Sequence, residues 1–91
     1  MTWMGIDIGH RRYGVAVSDG SGSIAYPLTT LSAGKGGAPP IEALAKLVAE
    51  RKIIGVVVGL PERMDGSHGP EARNAELVAE QLRVELGVVV E

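Results

Sequence analysis

The sequence contains no cysteine and no phenylalanine, and its only aromatic residues are Trp3, Tyr13 and Tyr26. The lack of cysteine excludes a disulfide framework, a thiolate metal site and a cysteine nucleophile, and it is typical of a reducing cytosol. No apolar run is long enough to span a bilayer, and the N-terminus lacks the basic and hydrophobic segments of a signal peptide. We therefore expect a soluble, cytoplasmic protein with an aliphatic core.

The chain also lacks an excess of positive charge, which most nucleic-acid-binding proteins have. Nine lysine and arginine residues are balanced by eleven aspartate and glutamate residues, so the formal net charge is −2 at pH 7. Any basic patch must be local, and the adjacent Arg11 and Arg12 are the best candidate. Hydrophobic residues make up 45% of the 91 residues and charged residues 22%, which is typical of one small globular domain.

The first third of the chain has the pattern of three antiparallel strands. Residues 3–8 are an apolar run interrupted by Asp7, and residues 13–18 are rich in β-branched and aromatic side chains. The short link between them favours a hairpin. A turn-rich stretch precedes a third predicted strand at residues 24–31. Pro27 places that strand at an edge of the sheet, because proline cannot donate to a central ladder.

The rest of the chain alternates between helices and strands. Apolar residues recur at helical spacing in residues 40–51 and again in residues 70–86, where Gly87 is a natural stop. Between them, residues 53–60 form an uninterrupted apolar run, the pattern of a strand covered on both faces. A fifth strand begins at residue 88. The order βββαβαβ predicts an α/β fold with a mixed sheet in the order 3-2-1-4-5.

Asp7 is the residue in this pattern that most needs an explanation, because it lies in the central strand. Aspartate is unfavourable in strands, and a buried unpaired charge is costly. A hard divalent cation would compensate, since such ions prefer carboxylate oxygens. Two other interpretations remain open. In one, Asp7 accepts hydrogen bonds from the backbone or from Thr29 or Thr30; in the other, its side chain points into solvent.

Three motifs resemble the YqgF/RuvX family, whose members are described as Holliday junction resolvases and pre-16S rRNA nucleases. They lie at residues 5–19 (GIDIGHRRYGVAVSD), 24–30 (IAYPLTT) and 57–70 (VVGLPERMDGSHGP). A hairpin like the first motif also occurs in sugar kinases and actin-like ATPases. The three motifs in this order are specific, and they cover nearly the whole chain.

The resemblance implies a ribonuclease H-like fold and a nuclease that depends on Mg²⁺ or Mn²⁺ and cleaves structured RNA or branched DNA. It assigns Asp7 as the first catalytic and metal-binding acid. In the family, the strand that begins here at Val88 leads into an Asp-Glu-Arg motif, and a further helix supplies another acid. Neither is present, so the resemblance implies a single domain at residues 1–91 without these C-terminal elements. His10 also departs from the family, which commonly has a small hydroxyl residue there.

Other polar residues near these motifs are candidates for binding the substrate. Arg11 and Arg12 follow the strand of Asp7, where guanidinium groups can hold phosphates, although a solvated turn explains them equally well. Asp65 begins a tight turn in the third motif, which the resemblance associates with substrate. The segment Gly34-Lys35-Gly36-Gly37 has the composition of a phosphate loop but lacks the P-loop spacing and the Lys-Ser/Thr pair, so we do not interpret it as one.

Two alternatives to an active nuclease follow from the same residues. Two-metal hydrolysis needs several carboxylates, and Asp7 alone cannot supply them, so the chain is alternatively an inactive nucleic-acid-binding or scaffolding fragment. An actin-like phosphotransferase is disfavoured, because 91 residues cannot hold the second domain that such enzymes need. Apolar surface left uncovered on the second helix and fourth strand further predicts either a homodimer or an unstable chain.

Overall fold

The computed structural model describes residues 2–18, 25–59 and 70–91 of the chain, with side chains from residue 73 onward in the last of these segments. They form five strands, two α-helices and one short 3-10 turn. In chain order the elements are β1 (Thr2–Ile8), β2 (Arg12–Ser18), β3 (Ala25–Ser32), the 3-10 turn (Lys35–Gly37), α1 (Ile41–Arg51), β4 (Ile53–Val58), α2 (Pro70–Leu86) and β5 (Val89–Val90).

The strands form one mixed sheet in the order β3-β2-β1-β4-β5. Strand β1 is antiparallel to β2 and parallel to β4, and β2 is antiparallel to β3. Both the element order and the strand order predicted from the sequence are confirmed, and Pro27 lies on the edge strand β3 as expected. The differences are the 3-10 turn at Lys35–Gly37, which was expected to be plain loop, and strand ends that shift by one or two residues.

One face of this sheet carries the hydrophobic core. Because side chains alternate along a strand, Met4 and Ile6 of β1 point to the same side as Tyr13, Val15 and Val17 of β2. Both helices pack on this side, and their apolar stripes complete the core. Its fully or nearly fully buried members from the helices are Leu44, Ala75, Val78, Ala79 and Leu82. Helical periodicity in the sequence therefore predicted the buried stripe correctly.

The opposite side, which we call the open face, carries neither of the two helices. Its side chains come from the alternate strand positions, including Trp3, Gly5 and Asp7 of β1. Val57 on β4 and Val89 on β5 belong to it, and they are 46% and 56% exposed. The prediction that β4 is covered on both faces is therefore wrong for the residues that the structure describes. An apolar run indicates a strand but does not say what lies above each face.

Within the described segments, neither helix is long and apolar enough to cross a membrane.

Candidate metal and nucleic-acid site

Asp7 lies one residue before the end of β1, on the open face of the sheet, and its side chain is exposed. The expectation that a central strand would bury this carboxylate is wrong. The physical reason is the alternation of side chains: Ile6 and Ile8 point toward the helices, so Asp7 must point away from them. Asp7 thus faces solvent in the structure, which leaves its carboxylate accessible to a cation.

Residues with little or no side chain surround Asp7 on this face. Gly14 of β2 is its direct partner across the strand pair, and a Cβ built on Gly14 would contact the Cβ of Asp7 at 3.6 Å. Gly5 precedes Asp7 on the same face, and Gly59 follows the neighbouring strand, where its N–H donates to the carbonyl of Ile6 at 3.0 Å. The result is an open depression of about 540 Å³ around the carboxylate. A ligand as large as a phosphodiester can therefore approach Asp7 directly.

The threonines of β3 do not explain Asp7 as a hydrogen-bond acceptor. The hydroxyl of Thr29 donates to the carbonyl of Thr30 at 3.3 Å. Thr30 pairs with Gly14, which in turn pairs with Asp7, so two strand spacings of about 4.8 Å each separate the two residues. Both threonines instead line the far wall of the depression.

The turn between β1 and β2 carries the arginines predicted to hold phosphate. It is closed by a hydrogen bond of 3.0 Å from the N–H of Gly9 to the carbonyl of Arg12, and both arginine side chains are exposed. Arg12 shares the open face with Asp7. It lies two residues before Gly14 on β2, and side chains two residues apart on a strand point to the same side. It lies diagonally across the strand pair, about 7–8 Å from Asp7. Arg11 lies in the turn itself.

A glycine-rich loop, residues 34–37, packs against this turn. The sequence indicated the loop but not its contact with the turn. The hydroxyl of Tyr13 donates to the carbonyl of Gly37 at 2.8 Å, from a side chain that is fully buried. Removal from water disfavours the phenolate and raises the pKa of Tyr13 above its ordinary value. The pattern predicted Tyr13 only as a strand residue; the contact joins positions 24 residues apart, which no local pattern reveals.

Asp7 fits one ligand position of a hard cation, because it is a solvated carboxylate with open space in front of it. In the described part of the chain, no group of three or more His, Cys, Asp or Glu side chains lies close enough to hold a metal ion. Among the side chains that the structure describes, Asp7 is therefore a candidate for one ligand position and not part of a complete metal site. The third predicted substrate contact, Asp65, lies outside the described residues.

Sequence comparison relates the whole chain to one family. Residues 1–91 match the model of the RuvX family, which is described as Holliday junction resolvase. Two bacterial relatives carry the name "Putative pre-16S rRNA nuclease". The protein from Chloroflexus aggregans is 46% identical over 99% of this chain, and the protein from Myxococcus xanthus is 44% identical over 100% of it. The chain spans about three fifths of these relatives, 63% and 60% of their respective lengths.

Structural comparison supports the same fold. A solved structure of T. thermophilus RuvC in complex with a Holliday junction substrate superposes with a TM-score of 0.55, at 17% identity, over 99% of this chain and 62% of that one. At this identity the likeness shows the fold alone. The strand order, the two helices on one face and the family match agree with one another. The chain therefore belongs to the RuvX family and has a ribonuclease H-like fold.

Proposed function

We propose that residues 1–91 form a single domain of a metal-dependent nuclease that hydrolyses phosphodiester bonds, and that its role is processing of the 5′ end of pre-16S rRNA in the cytoplasm. The observation that carries this proposal is the position of Asp7. It is an exposed carboxylate on the central strand, set in a depression lined by small residues that leaves room for a phosphodiester. The names of the relatives favour the ribosomal RNA precursor as substrate.

In this proposal Asp7 holds a divalent cation, Mg²⁺ or Mn²⁺, which supplies electrophilic stabilisation of the phosphoryl oxygens when bound. The protein residues orient the nucleic acid. Arg12, on the same face as Asp7, donates hydrogen bonds to phosphate oxygens, and Arg11 contacts the strand where it leaves the face. Asp65 is assigned to substrate contact by the family motif alone. Guanidinium groups suit this role because they remain charged at any physiological pH.

A second candidate function is resolution of four-way DNA junctions. The family description and the junction bound to T. thermophilus RuvC favour it. A third is a nucleic-acid-binding or scaffolding role without catalysis. It is favoured by the lack, among the described side chains, of a group of three or more possible metal ligands.

One assay separates these functions. End-labelled 16S rRNA precursor and a four-way DNA junction are incubated with the chain in Mg²⁺, in Mn²⁺ or in EDTA, next to the Myxococcus xanthus relative. We expect metal-dependent cleavage near the 5′ end of the precursor. Cleavage of the junction alone would replace this role with junction resolution. Binding by the chain without cleavage, where the relative does cleave, would establish the scaffolding role.

We also propose that two copies of the chain associate through the apolar part of the open face, around Val57 and Val89, because these side chains are half exposed. Val89→Glu is then expected to shift sedimentation from dimer to monomer and to abolish the concentration dependence of the melting temperature. Ala45→Glu is the control, since Ala45 is exposed on α1. A wild-type protein that sediments as a monomer at all concentrations would exclude the dimer.

A further inference from the structure

A second groove lies at the end of the sheet where β1 turns into β2. It has a volume of about 520 Å³ and lies between the turn, which contributes His10 and Arg11, and the loop at residues 34–37. The depression at Asp7 has other walls and lies on the open face. Nothing in the proposed role of Asp7 requires this second groove, which therefore needs an explanation of its own.

Hydrogen bonds hold the two walls of the groove together. The N–H of Ala33 donates to the carbonyl of Arg11 at 2.8 Å, and the hydroxyl of Tyr13 donates to the carbonyl of Gly37 at 2.8 Å. The loop is closed on itself by a bond of 2.8 Å from the N–H of Gly34 to the carbonyl of Ala38. Lys35 is thus carried by a backbone that is fixed at both ends against the turn.

Arg11 lines the groove and Lys35 belongs to the loop that forms its other wall, so the surroundings of the groove are positive although the chain as a whole is negative. Residues 9–12 and 33–38 contain Arg11, Arg12 and Lys35 and no carboxylate, whereas the formal net charge of the chain is −2. The side chains of all three cations are exposed. Tertiary structure brings together charges that are more than twenty positions apart in sequence. In the sequence alone, only Arg11 and Arg12 are adjacent basic residues.

The backbone of the loop leaves space for an anion beside these side chains. Gly36 and Gly37 have left-handed φ angles of 71° and 82°, which side-chain-bearing residues rarely adopt. A Cβ built on Gly36 would meet nothing within 4 Å, so the space beside its peptide is open. The N–H groups of Gly37 and Ala38 donate within the loop, to the carbonyls of Gly34 and Lys35 at 3.0 and 3.4 Å. The positive groups offered to an anion are therefore the side chains of Arg11 and Lys35.

We propose that the side chains of Arg11 in the turn and Lys35 in the loop bind a backbone phosphate of the nucleic acid, separate from the phosphate at Asp7. This inference rests on the proposed nuclease function and names a contact that steadies its substrate. His10, which lines the groove, lies three residues after Asp7, about 10 Å along an extended chain. A nucleic-acid strand carries one phosphate per about 3.4 Å of axis, so the groove lies within roughly three phosphates of Asp7.

The test compares Lys35→Gln with the control Lys46→Gln. Lys46 is exposed on α1, and its Nζ lies 3.9 Å from Oε1 of Glu50. Binding of a fluorescein-labelled single-stranded RNA is measured by anisotropy in EDTA, where no cleavage occurs, between 50 and 200 mM salt. Loss of one phosphate contact should weaken binding by Lys35→Gln about five- to tenfold at 50 mM salt and reduce the salt slope by about 0.7. Lys46→Gln should match the wild type, and Lys35→Arg should retain most of the affinity.

The outcomes separate this contact from the function on which it rests. If Lys35→Gln and Lys46→Gln bind equally well while the wild type binds RNA, the groove contact is wrong and the proposed nuclease stands. If the wild type binds neither RNA nor junction DNA, both proposals are wrong. Inorganic phosphate, added at constant ionic strength, tests whether a free anion competes with the labelled RNA for the groove. Displacement of RNA from the wild type but not from Lys35→Gln would mean that the anion competes for the site that holds the RNA phosphate, which would support the proposal.

Discussion

Asp7→Asn is expected to reduce metal-dependent cleavage by about 10²- to 10³-fold, the usual cost of removing a group that stabilises charge in the transition state. The asparagine side chain has nearly the same shape but no charge, so it binds a hard cation poorly. Stability should change little, because Asp7 is exposed and makes no contribution to the buried core. Cleavage rates and thermal melting of the same samples provide the measurement.

Glu85→Gln is the matched control, because it removes one exposed carboxylate from α2, the helix on the other side of the sheet. It should leave cleavage unchanged. If the chain binds nucleic acid without cleaving it, calorimetric titration with Mn²⁺ tests Asp7 directly. The wild type should then bind the ion more tightly than Asp7→Asn. Equal ion binding together with equal cleavage would remove Asp7 from the site.

The second large effect is a loss of stability, expected for Gly55→Ala. On the open face, the backbone of β4 at Gly55 passes directly beneath the ring of Trp3. Trp3 and Gly55 are partners in the β1–β4 pair, and a Cβ built on Gly55 would overlap the indole of Trp3, including its Cε3 atom at 2.7 Å. In Gly55→Ala the ring must therefore move away from the sheet. We expect the free energy of unfolding to fall by about 1–3 kcal/mol, as for other overpacked sites.

Two measurements report this change. The melting temperature should fall by roughly 4–8 °C for each kcal/mol lost. Trp3 is the only tryptophan of the chain, so a shift of its fluorescence to longer wavelength reports exposure of the ring. In a Trp3→Ala background the cost of Gly55→Ala should largely disappear, since the clashing ring is gone. The same cost in both backgrounds would show that the ring is not its cause.

Gly5→Ala is the control for this prediction. Gly5 lies on the same face of the neighbouring strand, but a Cβ there would meet nothing within 4 Å. We expect its melting temperature to be unchanged or slightly higher, because alanine reduces the freedom of the unfolded chain. A loss as large as that of Gly55→Ala would mean that both glycines are required for the strand backbone and not for the space above it.

The elements and their order could be read from local patterns. The patterns that indicate strands and helices involve residues close together in sequence. Strand β1, helix α2 and the edge position of Pro27 were therefore predicted within one or two residues. The strand order followed from general rules of connection. Asp7 was singled out because a carboxylate interrupts an apolar strand. All of these are properties of short segments, for which one sequence contains enough information.

The tertiary structure decided what lies above each segment. The apolar run of β4 predicted burial on both faces, yet Val57 is exposed, because packing depends on which elements cover a face. Asp7 was expected to be buried and faces solvent for the same reason. The sequence separates Lys35 from Arg11, and the fold packs the loop that contains Lys35 against the turn that contains Arg11. The sequence by itself determined the strands and the residue that interrupts them. Only the fold decided their surroundings, because burial and charge depend on contacts between residues that are far apart in the chain.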